Sequence, residues 1–144
     1  MDKKKQPGIS FNAIILVEEK FWRKPFLPEK LNIDVEFKSK RTIDKSNNEK
    51  GIIEIETFLT LVDSDKEAFV RLETKFVGQF SVIESEQNME IEHFLKHNAP
   101  ALIFPYIREH ISSVTSRAGI SPVILPPMNI VAILNRKREN QLKE

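Results

Sequence analysis

Apolar and polar residues alternate in four stretches of the chain before the spacing lengthens to that of helices. In residues 9–17, ISFNAIILV, period two places Phe11, Ala13, Ile15 and Val17 on one face of a strand. Residues 31–40 alternate more cleanly, with Leu31, Ile33, Val35 and Phe37 opposite Asn32, Asp34, Glu36 and Lys38. Between them Pro25 and Pro28 interrupt ladder bonding, which predicts an irregular stretch over residues 18–30 from which Trp22 and Phe26 pack. Residues 52–62, IIEIETFLTLV, turn Ile53, Ile55, Leu59 and Leu61 inward. Phe58 and Val62 disturb that pattern, as expected for a strand end covered on both faces. After the tight turn DSDK, residues 67–82 form a long strand with Ala68, Val70, Leu72, Phe76, Phe80 and Val82 on one side, antiparallel to its predecessor. Gly78 within it marks either a bulge or the close approach of another backbone.

From residue 85 the period changes. Ile91, Phe94 and Leu95 make a short helical face, Pro100 opens a second short segment, and Pro105 fits the first turn of a main helix striped by Ile107, Ile111 and Val114. Gly119 suits the left-handed position that ends this helix. Residues 128–144 predict a terminal helix presenting Ile130, Val131, Ile133 and Leu134. Four strands followed by helices is an α+β order, with the helices against one face or edge of a four-stranded antiparallel sheet.

The segment between the last two helices is the least ordinary. ISPVILPPMNI, residues 120–130, carries Ile120, Val123, Ile124, Leu125, Met128 and Ile130, yet Pro122, Pro126 and Pro127 block helix propagation and favour extended backbone. Successive side chains must then point two ways: one set covers the domain, and the other lines a groove, meets another subunit or is itself packed onto the chain's own core. Exposing the whole set without a partner would invite aggregation.

Composition narrows the setting. At 144 residues, with 40% hydrophobic and 30% charged, the chain fits one folded domain, residues 9–144, preceded by a loose basic arm at residues 1–8. Lys plus Arg number 22 against 21 Asp plus Glu, so no long-range field selects nucleic acid or acidic lipid. Zero cysteines exclude disulfides and thiolate chemistry and agree with a cytoplasmic setting. The apolar run AIILV near the start is short and followed at once by Glu18, unlike a secretory signal, and nothing approaches the roughly 20 apolar residues of a membrane span.

Catalytic constellations are not evident. His93 and His97 share a helical face at i, i+4, but without an HExxH motif or a third ligand, and no metal site is expected. Glu109 and His110 are adjacent and point apart on a helix, whereas Tyr106 and His110 are spaced for packing contact. No phosphate loop or nucleophile elbow occurs, and no cofactor is implied. The basic clusters KFWRK and NRKREN lack a nucleic-acid recognition motif.

The block APALIFPYIREHISSVTSRAGISPVILPPMNIVAIL, residues 99–134, resembles the SecB protein-export chaperone family through Pro100, FPYIRE, SRAG, Pro126, Pro127 and Asn129. The similarity extends backward through the long fourth strand and SFNAIILV. It implies a four-stranded antiparallel sheet, a long helix, a proline-rich crossover loop and a C-terminal helix, assembled as a homotetramer that is a dimer of dimers. It also implies an ATP-independent holding chaperone for unfolded or pre-secretory polypeptides, in which the crossover residues Ile120, Val123, Leu125, Met128 and Ile130 contact clients. Phe80, Phe104, Tyr106 and Trp22 either join that surface or support it. Docking of the SecA motor would use Asp63 and Asp65 near the hairpin turn. Lys20, Arg23 and Lys24 stand where export members carry acidic residues, which favours as alternatives a chaperone dedicated to an antitoxin or other single client, or a structural adaptor.

Overall fold

The computed structural model describes residues 8–44, 49–83 and 87–143, with side chains as far as Arg136. The expected basic arm lies outside these residues except for Gly8.

Alternation produces four strands: β1 (Ile9–Arg23), β2 (Asn32–Ile43), β3 (Lys50–Val62) and β4 (Ala68–Val82). They form one antiparallel sheet in the order β1-β4-β3-β2, so β1 and β2 are its edges. Ile53, Ile55, Leu59 and Leu61 of β3 alternate inward against Val70, Leu72, Phe76 and Phe80 of β4, all nearly or fully buried. Each such aliphatic side chain contributes about 1.5–3 kcal/mol on burial. At the centre of this face the cross-strand partners Thr57 and Thr74 bury hydroxyls that have no hydrogen-bond partner among the described residues.

The first strand departs from simple alternation. It runs through Phe21 and Trp22 to Arg23, well past the residue-17 limit expected from the prolines, because Pro25 affects only the chain beyond Arg23 and an edge strand tolerates polar side chains. Register shifts between Phe11 and Ala13 and between Leu16 and Glu18 each insert one residue and reverse the facing. Phe11, Ile14 and Leu16 therefore pair with Phe80, Gly78 and Phe76 of the covered face, whereas Ile15 pairs with Val77 on the other. The expected single face of Phe11, Ala13, Ile15 and Val17 is split by these bulges. Trp22 stands on the open face beside the Arg71 guanidinium, and Phe26, expected to pack, is 87% exposed in the β1–β2 connection. Gly78 carries no bulge: a Cβ there would meet Ile103 of the overlying helix, so close approach is its reason.

The helices are α1 (Ile91–His97), α2 (Ala99–Arg117) and α3 (Ile130–Lys143). The two segments expected to begin at Pro100 and Pro105 are one helix. Pro100 occupies its first turn, where the missing donor is unneeded, and Pro105 is exposed inside it, so the single lost backbone bond falls on the solvent side. Ile103, Ile107 and Ile111 of α2 are fully buried over β3 and β4, while α3 touches β2 and α2 and buries Ile130 and Leu134. The Asn129 side chain accepts the Ala132 amide at 3.1 Å and caps α3.

Candidate functional site

The end of α2 decides how the following chain runs. Gly119 adopts φ +72°, and the Ile120 amide donates to the Thr115 carbonyl at 3.0 Å, closing the helix in the left-handed manner that its glycine predicts. Arg23 reaches over from β1, donating to the Ala118 carbonyl as well as to the carbonyls of Lys24 and Pro25. Thr115, fully buried, donates its hydroxyl to the Ile111 carbonyl at 2.8 Å and accepts the Val123 amide at 2.9 Å. Residues 121–129 then proceed without helix or strand.

Along this stretch the side chains alternate. Val123 (7% exposed) and Leu125 (0%) face the core, whereas Ile124 between them is 62% exposed. Ile124 forms the ridge between two depressions. One, about 490 Å³, is lined by Leu27, Leu31, Ile33, Leu61, Ile120 and Val123 together with the polar Glu29 and Ser121. The other, about 350 Å³, lies against α2 and is lined by Phe104, Pro105, Arg108, Glu109 and Ser112. The depression against α2 is mainly apolar and the larger one mixes polar and apolar surface, and the pair flanks Ile124 with aliphatic and aromatic side chains that suit those of an extended peptide.

The residues proposed from sequence divide accordingly. Ile120, Val123 and Phe104 line the groove, and Phe104 also meets the ring of Phe37 edge-on. Leu125 and Ile130 are core side chains beneath it, and Met128 is half-buried against the same core. Phe80 is 1% exposed, stacked on Phe11 at 4.8 Å, and borders a separate cleft that shares no residue with the groove. Tyr106 is half exposed and meets Phe11 edge-on. Trp22 lies on the opposite face of the sheet from α2. Ile124, Ile33 and Leu31 were missing from that set: Ile124 follows from strict alternation with Val123, but the juxtaposition of β2 with residues 120–124 is tertiary.

Of the docking candidates, the Asp63 carboxylate accepts the Asp65 and Glu67 amides and shapes the β3–β4 turn, while Asp65 is exposed. Nearby, Lys24 pairs with Glu67. His110 Nε2 donates to the Glu19 carboxylate at 2.8 Å, with its ring edge-on to Phe76, tying α2 to β1. His93 and His97 lie with ring centroids 4.3 Å apart. Local desolvation, followed by the charges of His93, Lys96 and Arg41, holds the His97 imidazole below its ordinary pKa. Among the described residues no group of three or more His, Cys, Asp or Glu is arranged to hold a metal.

A family model described as preprotein translocase subunit SecB matches residues 9–141. An uncharacterized protein of Methanocaldococcus jannaschii is 31% identical over 128 residues, which are 83% of this chain and 79% of that protein. A protein-export protein SecB of Methylobacillus flagellatus is 36% identical over 97 residues, 66% of this chain and 60% of its own. In fold, the chain is similar to a SecB-like chaperone of Mycobacterium tuberculosis solved in complex with a peptide from an antitoxin. The TM-score is 0.73 at 18% identity, covering 84% of this chain and 91% of that one.

Proposed function

The chain belongs to the SecB protein-export chaperone family, and on that premise we propose that it is an ATP-independent holding chaperone whose clients are non-native polypeptides seated on both sides of Ile124. The family is non-catalytic and cytoplasmic, so the chain is a chaperone and not an enzyme. The observation that carries the client site is the exposed Ile124 with a depression on either side, one bounded by β2 and residues 119–124 and the other by α2.

Capture is an equilibrium. Apolar segments of an unfolded chain enter the groove, and the free population that aggregates falls by mass action. Repeated grooves on one particle would raise effective concentration, so a homotetramer built as a dimer of dimers would hold long clients through several weak contacts. The test is light scattering from a chemically unfolded client diluted into increasing protein. Suppression at a few-fold molar excess supports holding, and unchanged scattering across several clients rejects it. Size exclusion with light scattering tests the assembly, which a strict monomer would overturn.

A chaperone dedicated to one client, such as an antitoxin, is the second reading. It is favoured by the surface through which an export chaperone would dock SecA: Lys20 is exposed, Lys24 pairs with Glu67, and Asp63 is engaged in its own turn, while Asp65 is exposed. Polypeptides recovered with the protein from cells discriminate the two readings, a broad set supporting general holding and a single species supporting the dedicated role.

A further inference from the structure

Resting on the client groove described above, we propose that Thr115 is its positioning residue: the hydroxyl sets which side chains of the proline-bounded segment face a client. Thr115 contributes no surface to the groove, being 0% exposed, and acts through Val123. Its hydroxyl proton goes to the Ile111 carbonyl at 2.8 Å, with the Ser112 carbonyl at 3.2 Å, which leaves the oxygen's lone pairs directed at the Val123 amide. Its own carbonyl accepts the Ile120 amide. One residue thus holds the chain at two points three residues apart, and no backbone ladder supports residues 121–129.

The consequence follows from alternation. Once the Val123 amide points at Thr115, the Val123 and Leu125 side chains turn to the core and Ile124 turns to solvent. Without the hydroxyl, the buried amide has no partner here, and the segment relieves that cost by rotating or lifting away. Pro122 confines the rotation by fixing its own φ and restricting Ser121, so the freedom released falls on Val123 and its successors.

The experiment exploits a chain without native cysteine. Single variants Ile124→Cys and Val123→Cys are prepared in the full chain, alone and combined with Thr115→Val or Thr115→Ser, and the rates of thiol labelling are compared. With Thr115 present, the Ile124→Cys thiol is expected to react much faster than the Val123→Cys thiol. Thr115→Val is expected to reduce that ratio by about tenfold, the scale of one buried hydrogen bond, and Thr115→Ser to preserve it. In parallel, a fluorescein-labelled apolar peptide is expected to bind the Thr115→Val chain about five- to tenfold more weakly and the Thr115→Ser chain normally.

An unchanged labelling ratio in Thr115→Val overturns the proposal, as does a loss in Thr115→Ser equal to that in Thr115→Val. Should Thr115→Val fail to fold, slow hydrogen exchange of the Val123 amide in the unsubstituted chain supports the latch and fast exchange overturns it. Labelling requires no client, so a ratio that behaves as expected alongside a peptide that fails to bind the unsubstituted chain overturns the holding function and leaves the positioning role supported.

Discussion

The Cδ1 atom of Ile103 lies 2.7 Å from the point that a Cβ on Gly78 would occupy. Helix α2 therefore rests directly on the backbone of β4, and Ile103, fully buried, has little room to withdraw. Gly78→Ala is expected to destabilise the fold by about 1–3 kcal/mol through overpacking. Urea denaturation measures it. Adding Ile103→Val, which removes the clashing methyl, is expected to recover part of the loss, giving a double-mutant coupling of the opposite sign to the single penalties.

That glycine also shows what sequence reading reaches. The period-two pattern identified β2, β3 and β4 because Val35, Phe37, Ile53, Ile55, Leu72 and Phe76 keep one face throughout. In β1 the bulges at Asn12 and Val17 carry no compositional signal of their own, so the pattern misassigned faces and hid the strand's second half. Proline rules ended segments too readily: Pro105 sits inside α2 because its exposed side of the helix can forgo one bond. At the site, the apolar load of residues 120–130 was legible in the proline-bounded run, but which side chains stay outside depends on the Thr115 hydroxyl and on β2, contacts made between residues distant in sequence.

Ile124 and Leu125 are neighbours with opposite surroundings, and substitutions should separate binding from stability. Ile124→Ser is expected to change stability by no more than about 0.5 kcal/mol while weakening peptide binding about tenfold, as loss of an apolar contact requires. Leu125→Ala is expected to cost about 2–5 kcal/mol. Fluorescence anisotropy with a labelled peptide and thermal melts of the same samples provide the comparison. A large stability loss in Ile124→Ser would contradict its outward placement.

Thr74 presents a buried hydroxyl without a partner among the described residues, opposite Thr57 in the same condition. Replacing that hydroxyl by a methyl of similar size removes a desolvation penalty. Thr74→Val is expected to raise stability by about 1–2 kcal/mol, read as a higher denaturant midpoint at unchanged slope. A decrease would mean that the hydroxyl has a role in the native protein.

His97 predicts an acid sensitivity with a definite sign. Desolvation first, and then the charges of His93, Lys96 and Arg41, lower its proton affinity in the folded chain. On acidification the unfolded chain takes up this proton first, near pH 6.5. Stability is therefore fully present above that value and declines as pH falls toward the lower folded pKa. Melting temperatures between pH 7.5 and 5.5 are expected to fall more steeply for the natural chain than for His97→Gln. Parallel curves would remove the effect.

The alternation of Val123, Ile124 and Leu125 makes the distance from Gly119 to Pro126 a matter of counting as well as of chemistry. Evolution can exchange the outward side chain freely and so retune what is bound, but inserting or deleting a single residue would swap interior for exterior over the whole stretch. Within this chain, diversification at that surface is open to point substitution and closed to odd-numbered changes in length.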